Sequence, residues 1–107
     1  MRFYIIIFFI IISNNITAQN NVFKGTILDD NNEPLVGVNI YLSNNKSIGT
    51  VSDINGNFNF LIDSNFPIGI TISGIGYETL KILIKSSDDL NQKVILSEEI
   101  LLGEEVV

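Results

Sequence analysis

The fold this sequence predicts is all-β: a seven-stranded antiparallel β-sandwich. Three observations lead there. Apolar and polar residues alternate over short stretches, the period of a half-buried strand. Clusters of Asn, Asp, Gly and Pro punctuate those stretches. No segment places apolar residues at helical spacing. Strands this short, with one polar face each, are buried on one side only, so two sheets sharing a single core follow.

The first residues belong to no sheet. Met1-Arg2 is a short positive start, Phe3 to Ile12 is an unbroken apolar run, and Ile16-Thr17-Ala18 precedes Gln19. This is the order of a cleaved signal peptide, with Ala18 as the small residue before the cut. A membrane-spanning helix needs about 20 apolar residues, and this run is half that. The expected division is therefore a signal peptide at 1–18, one sandwich domain at 19–97 and a linker or partner-binding segment at 98–107. A mature chain of this size supports one small core.

The strands then follow in order. Phe23, Gly25 and Ile27 alternate with Lys24, Thr26 and Leu28, predicting a strand near 22–28. Asp29-Asp30-Asn31-Asn32-Glu33-Pro34 is a dense turn cluster. Val38, Ile40 and Leu42 point one way, with Asn39, Tyr41 and Ser43 the other. Asn44-Asn45-Lys46 turns the chain into a short strand near 48–52. Asn55-Gly56 reads as a tight hairpin turn into Phe58, Phe60 and Ile62. Ile70 and Ile72, then Leu80, Ile82 and Ile84, then Val94 to Leu96 complete the set. Strand order is left open by the pattern. After Ser97 the alternation stops, which suggests an extended tail.

Composition excludes several kinds of chemistry. The chain has neither histidine nor cysteine. The commonest general base and metal ligand are thus missing, along with disulfides. The five lysines, Lys24, Lys46, Lys81, Lys85 and Lys93, form no basic stripe on a chain of net charge −6, so nucleic-acid binding is disfavoured. Asp53, Asn55 and Asn57 mimic the first oxygen positions of a calcium loop, but Phe58 and Ser64 stand where that loop needs glycine and glutamate. The acid pairs Asp29-Asp30, Asp88-Asp89, Glu98-Glu99 and Glu104-Glu105 lie in turns or the tail, not across a cleft. No catalytic, metal-binding or cofactor-binding residue is expected, and no cofactor. Tyr41, outward-facing among amides, is the one residue suited to stacking on a sugar; packing against a cross-strand neighbour is the plainer reading.

Three stretches carry a family resemblance. Gly25 followed by Asn32-Glu33-Pro34-Leu35-Val36-Gly37-Val38-Asn39-Ile40 resembles the opening of the carboxypeptidase-regulatory-like domain, with Asn32 where that family often has glycine. Ile48-Gly49-Thr50-Val51-Ser52-Asp53-Ile54-Asn55-Gly56-Asn57-Phe58 is similar to its "GTVTD-(N/D)G-F" stretch. Ser73-Gly74-Ile75-Gly76-Tyr77-Glu78-Thr79 resembles its "S-IGYET" signature. The resemblance implies a Greek-key sandwich of the transthyretin (prealbumin) type. It assigns structural roles to Gly25, Pro34, Gly37, Gly49, Asp53, Gly56, Phe58, Gly76 and Tyr77, with the Tyr77 ring and hydroxyl anchoring a corner.

In that family the domain often stands at the mature N-terminus of TonB-dependent outer-membrane receptors, followed by a linker rich in "EEVVV" and then by the plug and the barrel. Glu104, Glu105, Val106 and Val107 look like the start of that linker. The implied location is the periplasmic side of a Gram-negative outer membrane. The implied partners are proteins of the TonB-dependent uptake system and the rest of a receptor chain, of which this sequence would be the front piece. The alternative is a free-standing carbohydrate- or surface-binding module of the same fold.

Overall fold

A computed structural model of the chain describes residues 21–100. The expected signal peptide and the Glu104–Val107 segment lie outside the described residues. Among the described residues there are seven strands: β1 (Asn21–Leu28), β2 (Asn39–Leu42), β3 (Asn45–Val51), β4 (Asn57–Ile62), β5 (Ile68–Ser73), β6 (Leu80–Ile84) and β7 (Asn91–Ile95). A single 3-10 turn, Ser87–Asp89, sits before β7. Its first turn is capped by the Ser86 hydroxyl, which accepts from the Asp88 N–H at 3.3 Å.

The strands form two sheets, one in the order β4-β1-β7 and one in the order β3-β2-β5-β6. Their inner faces are the alternating residues expected from sequence. Phe23, Ile27, Phe58, Phe60, Ile62 and Val94 come from the first sheet; Ile40, Leu42, Ile68, Ile70, Ile72 and Ile84 come from the second. All are buried. Val38 and Leu96, just outside β2 and β7, close the same core. Burying these large aliphatic and aromatic side chains contributes about 1.5–3 kcal/mol each and is the main force holding the sheets face to face.

Two expectations need correction. The sandwich is not wholly antiparallel, because β1 and β7 pair in parallel, Lys24 opposite Asn91 through Leu28 opposite Ile95. The reason is parity. Successive strands reverse direction, so the first and seventh run the same way and meet parallel when placed side by side. Every other ladder is antiparallel.

The second correction concerns Asn55-Gly56, which is not a hairpin. β3 is an edge of one sheet and β4 an edge of the other. The Asp53 carboxylate accepts the N–H groups of Asn55 and Asn57, both at 2.9 Å. The Gly56 carbonyl then accepts the Ile27 N–H at 2.7 Å, pulling the chain across to β1. The loop therefore carries the chain between sheets.

Strand bounds also shift by a few residues. β3 begins at Asn45 rather than near 48, because the Asn45 side chain accepts from the Ser47 N–H and hydroxyl and turns the chain within two residues. No buried side-chain polar atom among the described residues lacks a hydrogen-bond partner.

Candidate functional site

The three motif stretches converge on one end of the sandwich. The registers put the ends of β1, β3, β5 and β7 there, together with the starts of β2, β4 and β6. The connecting loops at this pole hold Pro34, Gly37, Asp53, Gly56, Gly76 and Tyr77, and Phe58 lies at the start of β4 beside them. Gly25 and Gly49 sit within β1 and β3 and are not part of the pole.

Two of the pole loops use one device twice. In 29–33 the Asp29 carboxylate accepts from the N–H groups of Asn31 and Glu33 at 2.8 and 2.9 Å. In 53–57 Asp53 does the same for Asn55 and Asn57. Each loop is closed by matching backbone bonds, Asp29 N–H to Glu33 O and Asp53 N–H to Asn57 O, both 2.9 Å. The fourth residue is left-handed in each: Asn32 at φ 63° and Gly56 at φ 76°. Asparagine is the side chain best suited to replace glycine in that conformation, which accounts for Asn32. These carboxylates are engaged in holding backbone. Among the described residues there is no group of acidic side chains arranged to hold a metal ion.

Ser52 ties the loops together and was not singled out by the sequence reasoning. It is buried. Its hydroxyl accepts the Val38 N–H at 2.9 Å and donates to the Leu35 carbonyl at 2.7 Å. Its backbone N–H donates to Val38 O at 2.9 Å, and its carbonyl accepts from Gly37 N–H at 3.0 Å. Gly37 itself has φ 79°. Pro34 bridges back to Leu28, and the Leu35 N–H reaches Ile27 O at 2.9 Å. The only sequence trace of Ser52 was its place in the second motif, where the family pattern has threonine.

The third motif makes the remaining corner. Tyr77 N–H donates to Gly74 O at 3.1 Å, and the half-buried Tyr77 ring packs against the core. The packed ring places Tyr77 against the core at this corner. Segment 97–99 runs antiparallel to 76–78: Glu78 N–H donates to Ser97 O, Tyr77 bridges Glu98, and Glu99 N–H donates to Gly76 O, the two bonds at 2.8 Å. Pairing thus extends two residues past Ser97, where alternation in the sequence had stopped. Ser97 also donates to Asp30 at 3.2 Å, tying this segment to the first loop.

The loops of the pole carry exposed apolar side chains. Val36, Ile54 and Ile100 are largely exposed and Ile75 is fully exposed. Between Val36 and Ile75 lies a cleft of about 300 Å³, walled by Val38, Gly74 and Tyr77. A second concavity, about 460 Å³, opens on the outer face of the β3-β2-β5-β6 sheet along Asn39, Tyr41, Lys46, Ser47, Thr50 and Ser73. There the half-buried Tyr41 lies across the β2–β3 pair from Gly49. A Cβ on Gly49 would stand 2.5 Å from the Ile40 carbonyl oxygen and 2.8 Å from the Tyr41 Cβ, so glycine lets β3 lie close against β2 there.

Comparison with known proteins agrees with this architecture. A TonB-dependent receptor of Formosa agariphila is 37% identical over 73 residues, spanning 68% of this chain but only 7% of the receptor. Among solved structures, 3-chlorocatechol 1,2-dioxygenase from Rhodococcus opacus superposes with a TM-score of 0.57, covering 80% of this chain and 62% of the enzyme, at 12% identity. At that identity the likeness is one of fold alone. The sequence model of the CarboxypepD_reg-like domain matches residues 23–107, and the chain belongs to that family.

Proposed function

We propose that this domain is a non-catalytic accessory module of a TonB-dependent outer-membrane nutrient receptor, facing the periplasm and acting through protein contacts. The observation that carries the reading is the match to a TonB-dependent receptor over 68% of this chain, which spans a small part of that relative. The geometry supports it. The motif residues build backbone-holding loops around the point where the chain leaves the described residues, and Val36, Ile54, Ile75 and Ile100 are exposed there among acidic and amide side chains. Such a surface suits a protein partner better than a polar substrate. By its sequence the Glu104 to Val107 segment is the one suited to strand addition to a partner.

Reading the genomic sequence beyond the Val107 codon tests this. The frame is expected to continue into a plug and a long series of alternating strands of the kind that build an outer-membrane barrel. A stop codon directly after Val107 would contradict the receptor reading. It would bring forward a second one, a free-standing carbohydrate- or surface-binding module, whose support is the Tyr41 groove with its flanking amides and hydroxyls. That module should show saturable glycan binding that Tyr41→Ala abolishes; intact binding in the variant would rule the groove out.

A further inference from the structure

Charge is divided unequally between the two ends of the sandwich. The pole loops hold Asp29, Asp30 and Glu33, then Asp53, then Glu78, Glu98 and Glu99, and no lysine or arginine stands in 28–38, 52–57, 73–80 or 96–100. The opposite end sets Lys46 and Lys85 against Asp63, Asp88 and Asp89. Of the pole acids, Asp29 and Asp53 hold backbone N–H groups and Asp30 accepts from Ser97. Glu33, Glu78, Glu98 and Glu99 are exposed.

Those four glutamates flank the apolar cleft of about 300 Å³, whose walls are the loop segments 35–38 and 74–77. Glu78 follows Tyr77 directly, Glu98 bridges Tyr77, and the Glu99 N–H donates to Gly76 O at 2.8 Å. Glu33, two residues before Leu35, is held in place by its carbonyl, which accepts from the Asp29 N–H at 2.9 Å. Inside this rim Ile75 is fully exposed, Val36 is largely so, and the Tyr77 ring is half-buried.

We propose that the cleft and its acidic rim are a docking surface for a cationic polypeptide segment, one that carries an aliphatic side chain between lysines or arginines. The aliphatic group seats between Val36 and Ile75 and removes them from water. The flanking cations meet the glutamates of the rim. Charge selects this occupant over others. Nucleic acid and anionic lipid share the sign of the pole and are repelled. A second copy of the chain carries net charge −6, and its opposite end offers two lysines beside three aspartates. A polycation without apolar side chains leaves Val36 and Ile75 in water. The inference deepens the receptor reading, on which it rests for the partner being a periplasmic protein; the surface itself stands on charge and exposure.

The test is an NMR titration of the full chain with the heptapeptide Lys-Lys-Leu-Lys-Leu-Lys-Lys, followed through backbone amides and Ile, Leu and Val methyls. Saturable shifts are expected at Val36, Ile75 and Tyr77, and none at Asp88 or Asp89. Serine in place of both peptide leucines should weaken binding about tenfold, and so should Ile75→Ser in the protein. The peptide exchange needs no change in the protein, and unmoved Ile40 and Ile70 methyls report an intact fold in the variants. The double variant Glu78→Gln, Glu98→Gln should lose affinity several-fold at about 0.1 M salt and differ little from the parent at about 1 M, where the screening length is about 3 Å. Absence of saturable binding would overturn the proposal, as would shifts centred on Asp88 and Asp89. Equal binding of the serine peptide, or of one with glutamine for lysine, would overturn it too. Each of those failures leaves the receptor reading standing, because none bears on whether the reading frame continues. A stop codon after Val107, with binding at the pole intact, would fail the receptor reading alone.

Discussion

Gly25→Ala is expected to abolish cooperative folding. Gly25 lies in the central strand of the β4-β1-β7 sheet, opposite Phe58 on one side and Gln92 on the other. A Cβ at this position would overlap the backbone carbonyl oxygen of Gln92 and approach the tip of the Phe58 ring to 3.2 Å. The first obstacle is main chain, so it yields only if β7 separates from β1. That breaks the parallel ladder and exposes Val94. The second obstacle is the aromatic ring that fills the glycine's empty place, tilted at 52° to Phe23 with ring centroids 5.1 Å apart.

Backbone separation in a central strand belongs with the rare large effects, about 4 kcal/mol or more. The stability of a small domain is on the order of 5–10 kcal/mol in total. Gly37→Ala is the comparison. Nothing stands within 4 Å of the added methyl there, and only the φ of 79° opposes it, a cost of about 1–2 kcal/mol. Urea unfolding followed by circular dichroism should show a lowered midpoint for Gly37→Ala and no cooperative transition for Gly25→Ala. Equal midpoints would mean that steric exclusion at Gly25 has been overstated.

Ser52→Ala is expected to cost about 1–3 kcal/mol, because it strands a buried backbone N–H. The Val38 N–H loses its acceptor in a buried spot, and the half-buried Leu35 carbonyl loses a donor. Both groups belong to the segment that leads into β2, so the damage should concentrate at the pole. Hydrogen exchange at Val38 should rise more than exchange in β5. Ser52→Thr keeps the oxygen and should retain most of the stability. If alanine and threonine proved equally mild, the hydroxyl would not be the tie between loops described above.

The strands were legible in the sequence because their alternation is local. Phe23 and Ile27, Ile40 and Leu42, and Phe58, Phe60 and Ile62 announced their inner face, and all are buried. Strand order was not legible, since pairing depends on contacts distant in sequence. Asn55-Gly56 shows why. The dipeptide correctly marks a tight loop, but whether the next strand pairs with the last or crosses to the other sheet is decided by the Gly56 carbonyl finding Ile27. Ser52 was hidden because a buried serine in a strand-to-loop passage has no periodic signature. The pairing of 97–99 was hidden because three residues are too few to alternate. The exposed isoleucines at 54, 75 and 100 lay in loops, where sequence pattern has no expectation for apolar side chains.

Deletion of the domain is the sharpest test of whether it serves uptake through protein contacts. If the reading frame continues into a receptor, residues 20–96 would be removed from that full-length protein and its level in the outer membrane matched to the parent. Uptake of the receptor's nutrient and its coupling to TonB would then be measured. A several-fold loss of TonB-coupled uptake at equal receptor level is the predicted result, and unchanged uptake with unchanged coupling would contradict the account.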